Sequence, residues 1–168
     1  MALEYFIGKR WFEYLVGDLD EEYKSRIARG KSYANNNRIL DIKFNGNKVI
    51  ALVKGSGSSS YKVNLEFPIF KDEEIAKITK IFEDKQSELL KIPSSILPQG
   101  LYDDLTNSEV ELFQNMESEG MFFDCNCYDS KWSLICKHIF AVLFVISEEI
   151  NKKPILIFTI RNFDLSDN

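Results

Sequence analysis

Cys125-Asn-Cys127-Tyr-Asp-Ser-Lys-Trp-Ser-Leu-Ile-Cys136-Lys-His138, running on into Ile139-Phe-Ala-Val-Leu-Phe-Val-Ile146, is the stretch on which the fold turns. It holds all three cysteines of the chain and its only histidine. Cys-x-Cys, eight residues, then Cys-x-His supplies a complete tetrahedral donor set for one zinc ion. Four protein donors leave no position for a water, so the spacing predicts a structural zinc site rather than a catalytic one.

Local geometry supports the grouping. Residues two apart on an extended strand share a face, so Cys125 and Cys127 suit a strand end or tight hairpin. Two apart on a helix lie nearly opposite, so Cys136 belongs at a helix cap and His138 in the first turn. The eight apolar residues from Ile139 to Ile146 lack a polar face and predict a buried helix, closed by Glu148, Glu149 and Pro154. The positive helix end favours Cys136 as thiolate. Tyr128 to Leu134 reads as a polar loop, with Trp132 as a hydrophobic lid.

This motif resembles the SWIM zinc finger. The likeness extends upstream through Arg26-Ile-Ala-Arg-Gly-Lys-Ser-Tyr33, Arg38-Ile-Leu-Asp-Ile-Lys43, Val49-Ile-Ala-Leu-Val-Lys-Gly-Ser56 and Tyr61-Lys-Val63, and spans Trp11 to Arg161. Two departures stand out: Tyr128-Asp129 where the family commonly has Pro-Asp, and Arg161-Asn162 where it commonly has Arg-Gly. The resemblance implies a finger that binds DNA or other proteins, alongside a helicase-like ATPase or a recombination factor.

Around the motif, periodicity outlines an α+β fold: an N-terminal antiparallel sheet, a helical connector, and a C-terminal Cys₃His zinc-finger hairpin packed on a buried helix. The expected units are 1–70, 71–106 and 107–168. Residues 4–16 form an aromatic helical hook with Trp11 and Phe12 in the core, and Asp18 to Glu22 an acidic connector. From Arg38 the period becomes two, placing Leu40, Ile42 and Phe44 on a buried face opposite Asp41 and Lys43. Asn45-Gly46 marks a hairpin turn, Lys48 to Lys54 runs back, and Tyr61 to Phe67 makes a third strand.

A long helix is expected next, capped by Asp72, striped by Ile75, Ile78, Ile81, Phe82 and Leu89, and stopped by Pro93. A shorter helix covers Ser94 to Leu105. Val110–Phe113 and Met121–Phe123 read as a hairpin that delivers Cys125 and Cys127. Pro154 to Ile160 fits a strand or a short helix, and the resemblance favours the helix.

With 45% hydrophobic residues the 168-residue chain can bury an ordinary core, so zinc need organise only one corner. The first ten residues lack a secretory core and the longest apolar run is too short for a membrane span, which points to an intracellular, cytoplasmic protein. Net charge is −5, yet Lys24 to Lys54 carries eight basic residues and a single acid, Asp41. That segment is open to two readings: the solvent face of a sheet, or a phosphate-binding surface built on Arg29, Lys31, Arg38 and Lys43 with Tyr33 stacking on bases. Arg29-Gly30-Lys31-Ser32 fails as a phosphate loop, because Ser25 stands where its first glycine belongs. With the sole imidazole committed to metal, no base remains for a cysteine nucleophile. The sequence therefore predicts a non-catalytic interaction module with a protein partner, DNA or RNA, and no small-molecule substrate.

Overall fold

The computed structural model describes residues 7–90, 96–132 and 135–165. Helix α1 (Ile7–Val16) buries Ile7, Trp11, Phe12 and Leu15, a stripe at helical spacing. A 3₁₀ turn at Glu21–Tyr23 leads into α2 (Lys24–Asn35). This helix corrects the reading of Lys24 onward as the face of a sheet. Its periodic signal is weak because the position most deeply buried is Gly30, which contributes no side chain. Asn37 ends it at φ 54°, and the Arg38 N–H returns to the Tyr33 carbonyl at 3.1 Å.

Strands β1 (Ile39–Asn45) and β2 (Lys48–Lys54) form the expected hairpin, with Gly46 at φ 57° in the turn. In β2, Val49, Ala51 and Val53 are buried while Lys48, Ile50, Leu52 and Lys54 face solvent. β1 departs from its expected alternation. A bulge between Ile39 and Asp41 releases Leu40, which is 52% exposed. Phe44 lies opposite Val49 on the core face, but at the outer edge it remains 36% exposed.

β3 (Ser60–Glu66) pairs antiparallel with β2. Then α3 (Asp72–Asp84) begins one residue earlier than a cap at Asp72 would require. Lys71 occupies the cap, and the Glu74 carboxylate accepts its N–H at 2.9 Å. Three acids in the first turn suit the positive helix end. α3 does not run through Leu89: it stops at Asp84, a turn at Lys85 intervenes, and α4 (Gln86–Leu89) is a separate short helix. Pro93 and Ser94 lie outside the described residues. α5 (Gln99–Asn107) follows Pro98 and buries Leu101 and Leu105.

The hairpin expected between 110–113 and 121–123 is absent. Val110 and Leu112 instead plug the core from a non-strand segment. β4 (Phe122–Cys125) pairs with β3, from Glu66↔Phe122 to Val63↔Cys125, completing an antiparallel sheet in the order β1-β2-β3-β4. Four residues make a poor hairpin alone, and β3 offers a ladder whose core-facing Val63 and Leu65 match Cys125 and Phe123.

Helix α6 (Lys137–Lys152) packs against α1 and α2 on one side and against β2, β3 and β4 on the other, which explains why no polar face was legible. Finally α7 (Leu156–Thr159) resolves the ambiguous C-terminal segment as a helix. A single buried cluster draws on residues from Ile7 to Phe163.

Arg161 is the most deeply buried cation among the described residues, 5% exposed. Its Nε donates to the Pro68 carbonyl at 2.9 Å and Nη1 to the Glu111 carbonyl. Glu74 lies 3.9 Å from Nη2, and the guanidinium stacks 3.7 Å over Phe70. Burial pushes its pKa down to about 10, with Glu74 opposing, so it stays cationic at neutral pH. We expect Arg161→Met to cost about 3 kcal/mol in denaturant unfolding, because it strands two carbonyls and a carboxylate. Asn162 follows at φ 62°, a left-handed position that Asn tolerates better than most residues.

Candidate metal centre

β4 delivers Cys125 at its end, and the chain beyond it is tied back to β3: the Lys62 N–H donates to Asn126 Oδ1 at 2.9 Å and the Asn126 N–H to the Lys62 carbonyl at 3.3 Å. That clamp fixes Cys127 near Cys125. Cys136 caps α6 in extended conformation, and the Phe140 N–H donates to its carbonyl at 3.2 Å. His138 follows in the first helical turn. Both placements match the expectation from spacing.

The four side chains converge. Nδ1 of His138 lies 3.8 Å from Cys125 Sγ and 3.7 Å from Cys136 Sγ. All four donor atoms fall within 4.8 Å of one another, and all four residues are buried. A tetrahedral zinc with ordinary bond lengths would separate sulfur from nitrogen by about 3.6 Å. The donor set and its spacing therefore fit such an ion, with Nδ1 as the imidazole donor.

Electrostatics distinguish Cys136 from Cys125. The Cys125 thiol hydrogen-bonds to Cys136 and lowers its pKa to about 3, helped by His138 and the Ile139 N–H against the opposing effect of burial. The same hydrogen bond, followed by burial, pushes Cys125 up. These shifts favour the thiolate at Cys136, at the start of α6, where the helix dipole acts in the same direction.

Two tyrosines that spacing did not link to the site wall the imidazole. Tyr61 of β3 stacks on His138 at 4.6 Å, and Tyr33 of α2 meets it edge-on at 5.7 Å. Nε2 is buried without a hydrogen-bond partner among the described residues, so aromatic packing, not a carboxylate or carbonyl, orients the ring. The signal in the sequence was only that Tyr33 and Tyr61 are aromatic; their meeting requires the tertiary fold.

The candidate nucleic-acid residues separate. Tyr33 and Arg38 are in contact, the guanidinium 4.7 Å over the ring, with the Lys137 ammonium at 5.3 Å. Arg38 Nη1 also donates to the Gly55 carbonyl at 2.6 Å. Arg29 is exposed on α2, whereas Lys31 lies over Phe12 and Phe144 at 5.4 and 5.8 Å. Lys43 pairs with Asp41 at 3.7 Å on the sheet's outer face. Trp132, in a 3₁₀ turn at Asp129–Trp132, is no lid: it is 65% exposed and meets the exposed Tyr128 edge to face at 6.2 Å.

Fold and cluster together define an α+β protein with a buried Cys₃His group able to hold one metal ion. No family model and no solved structure matches the chain. It is 25% identical over 158 residues to the uncharacterized protein Rv2102 of Mycobacterium tuberculosis, an alignment covering 94% of this chain and 56% of that relative. The chain thus spans just over half the relative's length. No helix among the described residues is long and apolar enough to cross a membrane.

Proposed function

We propose that Cys125, Cys127, Cys136 and His138 hold one structural zinc ion that clamps the end of β4 to the start of α6, and that the chain is a non-catalytic interaction module. The observation that carries this is the closed, buried cluster with every donor committed. Zinc bound there supplies a cross-link and no reactive water. In this reading the module is an intracellular SWIM-type protein–protein adaptor in DNA transactions, serving a helicase-like ATPase or recombination factor. Its acidic balance of −5 favours a protein partner over a general DNA coat.

A second reading, direct DNA or RNA binding, draws on one observation. Arg38 and Lys137 flank Tyr33 beside the cluster, while Tyr128 and Trp132 stand exposed on the intervening loop. Freshly purified protein is expected to carry one zinc per chain by elemental analysis; its absence sinks the clamp. Partner capture in high salt separates the two functions, since apolar contacts persist where phosphate contacts weaken. If single-stranded DNA and RNA bind, affinity should fall steeply along a salt series, and Tyr128→Ser with Trp132→Ser should weaken it at unchanged thermal stability.

A further inference from the structure

β1 is an outer strand: β2 pairs with one side, and among the described residues no strand lies on the other. Its centre, Leu40-Asp41-Ile42-Lys43-Phe44, is self-complementary about Ile42. One step out stand an acid and a base; two steps out stand large apolar residues. Leu40 is 52% and Phe44 36% exposed. Asp41 and Lys43, with side chains 57% and 76% exposed, form an ion pair with each other at 3.7 Å on the open face. Edge strands usually discourage pairing, often with lysine, inward charge or a bulge. Opposite charges placed symmetrically about a centre instead favour one geometry.

We propose that β1 is a homodimer contact, in which two copies align β1 antiparallel about Ile42 and merge their sheets. Asp41 then faces Lys43 of the second copy, twice over. Directly opposed unlike charges on neighbouring strands stabilise a ladder. A parallel in-register alignment would set Asp41 on Asp41 and Lys43 on Lys43, so the charge pattern selects the closed two-fold pair. The contact is small, which suits a weak dimer that forms at high concentration. It does not depend on the metal cluster.

The test is sedimentation of the full chain from low-micromolar to hundreds-of-micromolar concentration. The unaltered protein should show a concentration-dependent dimer. Asp41→Lys alone and Lys43→Asp alone should each raise the dissociation constant about tenfold or more, since both cross-strand pairs become repulsive. An equimolar mixture of the two variants should recover the dimer, because every cross-strand pair is again unlike in charge. The proposal fails if the unaltered chain stays monomeric throughout, if either variant dimerises as the unaltered chain does, or if the mixture does not recover.

Discussion

Cys136→Ser is expected to lose stoichiometric zinc and to lower stability by more than about 3 kcal/mol, a fall in Tm of roughly 6–12 °C for a chain of this size. Cys136 does three things at once. It occupies the cap of α6, its neighbours Cys125 and His138 favour its thiolate form, and its sulfur lies 3.7 Å from His138 Nδ1. Serine can keep the cap but not a zinc–sulfur bond, so metal should be lost even where the helix survives. Elemental analysis paired with thermal melts checks this. Strong chelation should bring the unaltered protein down to the variant's Tm and leave the variant unmoved. A variant that retained one zinc per chain would remove Cys136 from the ligand set.

Gly30→Val is expected to cost about 2–4 kcal/mol although valine forms helix better than glycine. The reason is the crossing of α2 over α6. A Cβ at position 30 would sit 2.6 Å from the Phe140 Cβ and 2.9 Å from both the Ala141 nitrogen and the Lys137 carbonyl. Backbone cannot yield as a side-chain tip does, so the helices must part. Lys137 lies between Cys136 and His138 of the cluster, and Tyr33 is carried by the displaced helix. Metal affinity should therefore also weaken, by about tenfold or more, as it does when groups that orient ligands are lost. Denaturant unfolding measures the first effect and competition with a zinc indicator the second. Ala28→Val, on the exposed face of the same helix, serves as the control and should change stability by less than about 1 kcal/mol.

The Gly30 case shows why one part of the fold escaped a local reading. Arg29-Gly30-Lys31-Ser32 lies within α2, yet nothing in the neighbouring residues discloses what the glycine is for. Its partner atoms belong to Phe140 and Lys137, more than a hundred positions away. The same holds at β4. Met121 to Phe123 reads as extended and the strand runs from Phe122 to Cys125, but along the chain Val110 to Phe113 is a closer and equally apolar partner than β3. Short-range pairing is the default inference; the ladder went to the strand whose core face matched. At β1 the period of two was legible, while the bulge that turned Leu40 outward and the edge position that left Phe44 uncovered were not.

Taken alone, the amino-acid order determined the grouping of Cys125, Cys127, Cys136 and His138, the cap at Cys136, the hairpin at Gly46 and the buried character of Ile139 to Ile146. Each of these rests on residues near one another in the chain, where covalent geometry restricts which side chains share a face. Only the tertiary structure decided that α2 is a helix lying against α6, that β4 extends β3, and that Tyr33 and Tyr61 enclose His138. Those outcomes depend on which distant surfaces fit together, and packing complementarity of that kind leaves no periodic mark along the chain.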